Sequence, residues 1–167
     1  PVRTGKSTLI KQFMEELVLP AIGPADAKLR ARDELPQSAA GRTIMTTEPK
    51  FIPEQAVPLQ LEGGGECRIR LIDCVGYMVE GAAGHMENGA ERLVKTPWNE
   101  KEIPFTKAAE IGTKKVIHDH STIGIVVTTD GSIGELPRNS YRAAEKKTIQ
   151  ELKLSLIHIS EPTRRSY

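Results

Sequence analysis

The chain has little of several residue types that would place it in a specialised class of protein. Only two of its 167 residues are cysteines, Cys67 and Cys74. With no second pair, they support neither a disulfide framework nor a zinc ribbon, and they favour a reducing compartment. No apolar run is long enough to span a bilayer, and the first residues carry no signal peptide. We therefore expect a cytoplasmic protein without a transmembrane segment.

The chain also lacks a large excess of charge of either sign. Lysine and arginine together number 23, and aspartate and glutamate number 22, for a formal net charge of +1. Because no overall field would attract a polyanion, we expect no nucleic-acid partner. Hydrophobic residues make up 38% and charged residues 27% of the chain, which is above the depletion typical of disordered proteins. The length fits one domain with one core.

Both ends of the sequence look cut. There is no initiator methionine, and the chain opens at Pro1 inside a candidate phosphate-binding motif, so we expect a first strand to be missing upstream. Residues 154–167 break the charged helical pattern before them and resemble the translation of a transposase sequencing-library adapter. We therefore predict a non-native tail there. A natural strand over residues 154–159 is the alternative.

The spacing of apolar residues predicts alternating helices and strands. Residues 7 to about 19 are predicted to form an amphipathic helix that ends before Pro20. Its apolar positions are Leu9, Ile10, Phe13 and Leu17 and, less regularly, Met14 and Val18. Residues 20–50 are predicted to be a long functional loop with a helical turn near residues 25–32.

The remaining segments complete an α/β pattern. Three glycines between two apolar runs predict a hairpin, and almost continuous β-branched residues predict a buried strand later in the chain. The predictions are a hairpin of residues 57–62 and 67–73, an irregular segment at 77–104, a helix at 105–117, a buried strand at 122–128 and a helix at 137–153. Alternation of helix and strand is typical of the α/β class.

The tetrapeptide Gly5-Lys6-Ser7-Thr8 is the second half of a phosphate-binding motif. In this motif, backbone N–H groups and a helix N-terminus cradle phosphates, and the lysine reaches the outer ones. The first glycine of the motif would lie one place before Pro1. A simple glycine turn into a capped helix is the alternative for the same residues.

A second motif, Asp73-Cys74-Val75-Gly76, follows a predicted strand. A carboxylate at that position can hold a Mg²⁺-bound water while the glycine N–H faces the terminal phosphate. An ordinary strand-end aspartate is the alternative. The next residue is Tyr77, where many GTPases have a glutamine that orients water, so we expect slow turnover, with water positioned by the threonines described next, a backbone group or a neighbouring subunit.

The third motif is Thr46-Thr47-Glu48-Pro49, in the long segment between helix and hairpin. A threonine hydroxyl there can close on Mg²⁺ and the terminal phosphate, so that the loop orders when a triphosphate binds and relaxes after hydrolysis. A capped turn is the alternative for this motif alone. The three motifs in this order predict a nucleoside-triphosphate switch fold.

Other candidate residues point to structural roles. The sequence His118-Asp119-His120 lies at a predicted helix end without a third ligand at useful spacing, which favours a solvated helix terminus over a metal site. Trp98 is predicted to pack rather than to bind a partner. Asp130 either lines the nucleotide pocket or forms a turn with Gly131.

Longer strings of residues resemble the stage IV sporulation protein A family of endospore-forming bacteria. The strings are residues 1–8, 33–51, 71–78 and 119–122, and the likeness covers residues 1–153. The resemblance implies an N-terminal P-loop domain related to translation-factor GTPases, which uses ATP rather than GTP to drive polymerisation. It also implies that the polymer forms the basement layer of the spore coat on the outer forespore membrane, from the mother-cell side.

The resemblance also implies roles for individual residues. Lys6 corresponds to the phosphate-loop lysine, Ser7 to a Mg²⁺ ligand and Asp73 to the metal-linked aspartate, while Thr46 and Thr47 correspond to sensor threonines. The predicted site therefore has catalytic residues Thr46, Thr47 and Asp73, nucleotide-binding residues Arg3, Thr4, Gly5, Lys6, Ser7, Thr8 and Gly76, and Mg²⁺-binding residues Ser7, Thr47 and Asp73.

These inferences predict a P-loop NTPase fold of the translation-factor-GTPase type, truncated at both ends, with residues 1–153 a partial ATPase domain. The expected cofactors are ATP and Mg²⁺. The expected partners are further copies of the protein and proteins of the spore coat and forespore membrane. A soluble GTPase-type regulatory switch and a structural scaffold with a vestigial nucleotide site are the alternatives. The family's middle and C-terminal domains would follow after about residue 153.

Overall fold

The computed structural model describes residues 2, 4–23, 25–36, 47–61, 63–82, 84–132 and 136–155. Among these residues, helical segments come first along the chain, six strands follow one another, and helical segments come last, so the predicted alternation of helix and strand is wrong. The helices are α1 (Lys6–Phe13), a π-helical turn (Met14–Val18), α2 (Leu19–Ala21), α3 (Ala25–Asp33), α4 (Phe105–Lys115), a second π-helical turn (Val116–His120) and α5 (Arg138–Ser155). The strands are β1 (Lys50–Gln60), β2 (Glu66–Asp73), β3 (Met86–Glu87), β4 (Ala90–Glu91), β5 (Leu93–Thr96) and β6 (Asn99–Pro104). The strands pair in order as three antiparallel hairpins, so the fold is of the mixed helix and strand type that the sequence predicts.

The first helix continues beyond its predicted end. Helical backbone runs from Lys6 through the first π-helical turn into α2, which contains Pro20. Pro20 removes one backbone donor but, this close to the end of the helical stretch, does not prevent helical backbone from continuing to Ala21. The prediction that the helix ends before Pro20 is therefore wrong.

The buried face of this helix matches the predicted one only in part, because Ile10 and Phe13 pack against the core as predicted whereas two other apolar positions do not. Met14 and Val18 are completely buried, whereas Leu9 and Leu17 are 42% and 59% exposed. Met14 and Val18 lie within the π-helical turn, where the i→i+5 bonding pattern changes the angular spacing of side chains. The residues that the pattern marked as less regular therefore form the core contact.

The β1–β2 hairpin supplies the opposite wall of this first core. Its register runs from Lys50 opposite Asp73 to Gln60 opposite Glu66, and the three glycines form its turn, as predicted. The core residues are Met14, Val18, Leu19, Ile22, Ala31, Leu35, Ile52 and Val57. Because Ala31 belongs to α3, the helical turn predicted near residues 25–32 is confirmed as a helix of nine residues that packs into this core.

Two arginine side chains of the hairpin bond to the backbone where the hydrogen-bond ladder between β1 and β2 is broken. The register shifts between Ile52 and Val57, so carbonyl groups between them lack strand partners in the ladder. The guanidinium group of Arg68 donates to the carbonyl oxygen of Ala56 at 3.0 Å, and that of Arg70 donates to the carbonyl of Glu54 at 3.2 Å. These side chains compensate for the irregularity.

Residues 77–104 contain two hairpins, so the prediction of an irregular segment is wrong. The β3–β4 hairpin turns at Asn88 and Gly89, which both have positive φ angles, of 51° and 80°. An Asn-Gly dipeptide is the preferred sequence for such a two-residue turn. The signal was present in the sequence, but the strands on either side have only two residues each.

Residues 122–128 do not form the predicted buried strand. This segment has no strand assignment, and Ile123 and Ile125 are 79% and 66% exposed. A strand requires a hydrogen-bonding neighbour, and none of the described strands pairs with this segment, although each hairpin keeps free edges. The apolar composition of residues 122–128 is therefore not sufficient to form a strand without a neighbouring strand to pair with.

The second core lies between α5 and the segment that follows β2. Its buried residues are Val2, Tyr77, Val79, Ala82, Tyr141 and Ala144. The predicted helices at 105–117 and 137–153 are confirmed as α4 and α5, with α4 continuing into the second π-helical turn. Within the described part of the chain, no helix is long and apolar enough to cross a membrane.

The predicted non-native tail falls mostly outside the described residues, because residues 156–167 are not among them. Leu154 and Ser155 are the last residues of α5. The alternative of a strand that begins at Leu154 is therefore wrong for its first two residues.

An ion pair between α4 and α5 makes stability dependent on pH. Lys147 Nζ donates to Glu110 Oε1 at 2.8 Å, and this hydrogen bond lowers the pKa of the Glu110 carboxyl below its ordinary value of 4.5. The unfolded chain thus takes up this proton at a higher pH than the folded protein. The ion pair therefore contributes its full stability at pH values above the pKa that Glu110 has in the unfolded chain. This contribution is lost as the pH falls through the pKa that Glu110 has in the folded protein.

We therefore expect Glu110→Gln to lower the free energy of unfolding at about pH 7 and to have a smaller effect at about pH 3, because the ion pair weakens as the carboxyl takes up a proton. Urea denaturation of the parent and the variant at both pH values measures the difference. An equal loss of stability at both values would show that packing, rather than the charge, is responsible.

Candidate phosphate-binding site

The candidate phosphate loop of the sequence is residues 1–8, of which the structure describes residues 2 and 4–8. Gly5 has a φ angle of 82°, in the left-handed region that favours glycine, and its carbonyl accepts the N–H of Leu9 at 2.9 Å. No side chain caps this helix, and its first turn contains no acidic residue. The first N–H groups of a helix lack partners within the helix, so an anion can bind here.

Lys6 directs its ammonium group toward the end of β2. Its Nζ donates to the carbonyl oxygen of Val75 at 3.2 Å. Burial lowers the pKa of the Lys6 ammonium, an effect opposed by the nearby Asp73 and Cys74 side chains. Burial also raises the pKa of the Cys74 thiol, and Lys6 opposes that shift. A cation removed from water beside a helix N-terminus is well suited to phosphate oxygens.

Ser7 and Asp73 bring the first two sequence motifs into direct contact. Ser7 Oγ donates to Asp73 Oδ2 at 2.5 Å, although the residues lie 66 positions apart in the chain. Adjacent hydroxyl and carboxylate oxygens match the hard oxygen ligands of Mg²⁺, which usually takes only one or two from protein and the rest from water and phosphate. The donor set therefore fits Mg²⁺. Among the described side chains, no cluster of three His, Cys, Asp or Glu residues offers a rival metal site.

The segment after Asp73 is bonded to the phosphate loop at a second point. Gly76 has a φ angle of 81°, and the N–H of Val2 donates to the carbonyl of Tyr77 at 3.2 Å. Together with the bond from Lys6, this contact places Gly76 beside the phosphate loop, as the sequence predicts.

Thr47 lies near the same end of the β1–β2 hairpin. It precedes by three residues the first strand residue, Lys50, which is opposite Asp73. A Cβ atom added at Gly112 would be 3.1 Å from the Thr47 carbonyl oxygen and 3.3 Å from Trp98 Cζ2. Thr47 is buried at 8% exposure, so its position depends on α4 as well as on β1.

The other predicted site residues differ in their surroundings. Thr4 is buried, whereas Thr8 is exposed on the first turn of α1. Arg3 and Thr46 lie outside the described residues. The structure thus brings Gly5, Lys6, Ser7, Asp73 and Gly76 together, but shows no contact between Thr47 and Ser7 or Asp73.

The secondary candidates have structural roles. His118, Asp119 and His120 are exposed in the second π-helical turn, with His118 Nε2 3.2 Å from Glu151 Oε2. This arrangement supports the prediction of a solvated helix end. Trp98 packs against Gly112, as predicted. Asp130 Oδ1 accepts the Ser132 N–H at 2.9 Å, which favours the turn role.

Sequence reasoning missed two residues beside the site, Gly112 and Lys147. A glycine in the interior of a helix is unfavourable, which is a signal of close packing that could have identified Gly112. The ammonium of Lys147 lies 4.7 Å from the centre of the Tyr77 ring. Because Lys147 and Tyr77 are far apart in the chain, no local sequence pattern indicates this contact.

We expect Gly112→Ala to lower the free energy of unfolding by about 1–2 kcal/mol, because the new methyl group would meet a backbone carbonyl and an indole ring, and this overpacking outweighs the gain in helix propensity. Chemical denaturation measures the change. Gly23→Ala is the matched control, because nothing lies within 4 Å of an added Cβ there. A stability for Gly112→Ala equal to or above that of the parent would contradict the close approach of Thr47 and Trp98.

Comparison with known proteins relates the chain to one family. The profile of the family described as Stage IV sporulation protein A, ATPase domain, matches residues 1–159. The chain is 60% identical over 152 residues to Stage IV sporulation protein A of Bacillus anthracis and 59% identical over 152 residues to that of Bacillus subtilis strain 168. It is 58% identical over 153 residues to that of Clostridioides difficile strain 630.

These alignments cover 91–92% of the chain and 31% of each relative, so the chain spans about a third of the length of the proteins that it matches. No solved structure matches the chain. The profile and the identities show that the chain belongs to the stage IV sporulation protein A family, within its ATPase domain.

Proposed function

We propose that the protein binds ATP with Mg²⁺ in a P-loop fold of the translation-factor-GTPase type and hydrolyses it slowly. The observation that carries this proposal is the 2.5 Å hydrogen bond between Ser7 and Asp73, beside the buried Lys6. It joins a helix N-terminus, a cation and two Mg²⁺-type ligands in one place.

In this proposal the outer phosphates bind at the N-terminus of α1. The N–H groups of the first turn donate to phosphate oxygens, and Lys6 exchanges its bond with Val75 for one to phosphate. Ser7 Oγ would ligate Mg²⁺, with Asp73 held to it through water and Thr47 joining them when its loop closes. Mg²⁺ would neutralise the charge that develops on the phosphate oxygens. Gly76 N–H faces the terminal phosphate.

Slow turnover follows from the side chain after Gly76. The Tyr77 ring is 4% exposed and packs in the second core, so it cannot orient an attacking water as a glutamine would. Thr46 and Thr47 are the proposed sensors of the terminal phosphate. Binding energy and the resulting change of conformation, rather than rapid turnover, are then the output of the site.

We further propose that this switch drives self-assembly of the whole protein into the basement layer of the spore coat, at the outer forespore surface in the mother cell, together with coat and forespore-membrane proteins. Family membership and the name of the relatives, which refers to sporulation, support this proposal. Light scattering with ATP, GTP or no nucleotide tests it. ATP-specific growth supports it, GTP-dependent behaviour without filaments indicates a regulatory switch, and nucleotide-independent growth indicates a scaffold.

We expect Lys6→Ala to abolish triphosphate binding, because the phosphates lose their charge partner inside the loop. Equilibrium titration with a fluorescent ATP analogue measures the affinity. Lys11→Ala is the matched control, since Lys11 lies on the same helix but pairs at the surface with Glu15 at 4.0 Å. Affinity of Lys6→Ala within a few-fold of the parent would overturn the assignment of the phosphate loop.

We expect the double variant Thr46→Ala/Thr47→Ala to retain nucleotide while losing hydrolysis and assembly, because the hydroxyl groups sense the terminal phosphate and do not hold the base. Binding and phosphate release are measured on the same preparation, with the exposed Thr128→Ala as control. The opposite pattern, in which binding is lost but each bound nucleotide is hydrolysed at the normal rate, would be inconsistent with a sensor role.

A further inference from the structure

Tyr77 lies between the phosphate loop and the α4–α5 pair. On one side, its carbonyl oxygen accepts the N–H of Val2 at 3.2 Å, and two residues earlier Val75 accepts the Lys6 ammonium. On the other side, its ring is buried against α5. The backbone of this segment is therefore bonded to the nucleotide-binding residues, while its side chain contacts the helices.

The contact from α5 is made by Lys147. Its ammonium lies 4.7 Å from the Tyr77 ring centre and donates to Glu110 Oε1 on α4 at 2.8 Å. An ammonium over the face of a tyrosine is attracted by the negative face of the ring. Glu110 thus holds Lys147 over Tyr77. We call Tyr77, Lys147 and Glu110 the tyrosine clamp.

Burial keeps Tyr77 in the form that this contact requires. Burial raises the pKa of the Tyr77 phenol, and the carboxylates of Glu151 and Glu110 raise it further, so the phenol stays neutral at physiological pH. Among the described residues, its hydroxyl has no hydrogen-bond partner. The lysine therefore interacts with the ring rather than with a phenolate oxygen.

A cavity lies beside the clamp, so protein atoms do not enclose the ring on every side. It has a volume of about 170 Å³ and is lined by Tyr77, Met78, Thr106, Glu110 and Lys147, among others. A ring that is packed on all sides has one position, whereas a ring beside a cavity can move unless another contact holds it. Lys147 is such a contact.

We propose that Lys147 is a positioning residue that acts through Tyr77 to hold Gly76 beside the terminal phosphate. This inference rests on the proposed function. When Lys6 exchanges Val75 for phosphate, residues 73–77 lose one of their anchors, and the tyrosine clamp, together with the bond from Val2 to Tyr77, keeps Gly76 in place. Because no contact that the structure shows joins the clamp to Lys6 or to the proposed Mg²⁺ ligands, it affects the hydrolytic step more than ground-state nucleotide binding.

The test uses Lys147→Met in the full chain, which keeps the length of the side chain but removes its charge. We expect kcat for ATP hydrolysis to fall about tenfold, the order expected for a cation–π contact beside a buried ring, with KM within about twofold of the parent. Lys147→Arg retains a cation over the ring and should restore most of kcat. Tyr77→Leu should reproduce the loss, and the double variant should lose little more.

Lys114→Met is the matched control. Lys114 joins the same carboxylates, at 3.6 Å from Glu110 and 3.4 Å from Glu151, but has no contact with Tyr77 among those that the structure shows. We expect its kcat to stay within about twofold of the parent. An unchanged kcat in Lys147→Met, or an equal fall in Lys114→Met, would overturn the proposal.

Amide hydrogen exchange separates this inference from the proposed function. Without nucleotide, the amides of residues 75–78 should exchange about tenfold faster in Lys147→Met than in Lys114→Met. If the parent binds no ATP, the proposed function is wrong, and exchange still decides whether the clamp exists. Equal exchange in the two variants would overturn the clamp itself. Should Lys147→Met fail to fold, Lys147→Gln provides the same comparison.

Discussion

The burial of the Lys6 ammonium beside Asp73 is the interaction on which the site depends. Removing a cation from water is unfavourable unless charges and dipoles around it compensate. Here the Asp73 carboxylate and the Val75 carbonyl do so, and Ser7 completes the contact by donating to Asp73. The start of α1 and the end of β2 are thereby held together. A bound polyphosphate would take over these compensating interactions, which makes the same cluster sensitive to nucleotide.

Helix α4 supports both segments that are proposed to sense the terminal phosphate. At Gly112 the absent side chain lets the Thr47 backbone and the Trp98 ring approach the helix. At Glu110 a carboxylate holds Lys147 over Tyr77. Positions 110 and 112 point about 200° apart around a helix, so the two contacts lie on different faces. A shift of α4 would therefore alter both segments, which links the proposed nucleotide switch to the helical surface of the protein.

The sequence predicted those elements whose signals are local. The β1–β2 hairpin follows from the three glycines between apolar runs, and α4 and α5 follow from helical periodicity. Local signals failed where tertiary contacts decide. Ile123 and Ile125 belong to a strand-like sequence that pairs with no described strand, and Leu17 is exposed because the β1–β2 hairpin and α3 cover the opposite side of its helix. In each case the amino-acid composition gives only a preference for a structure, and the packing or pairing partner determines which structure forms.

The sequence by itself determined the chemistry of the site, because Lys6, Ser7, Asp73 and Gly76 are residue types whose spacing matches a phosphate-binding pattern. Only the tertiary structure decided which of them meet. The contact between Ser7 and Asp73 spans 66 positions and depends on the packing of α1 against β2. The environment of Tyr77 was likewise invisible, because Lys147 reaches it from a distant helix and no local periodicity encodes a contact between side chains so far apart in the chain.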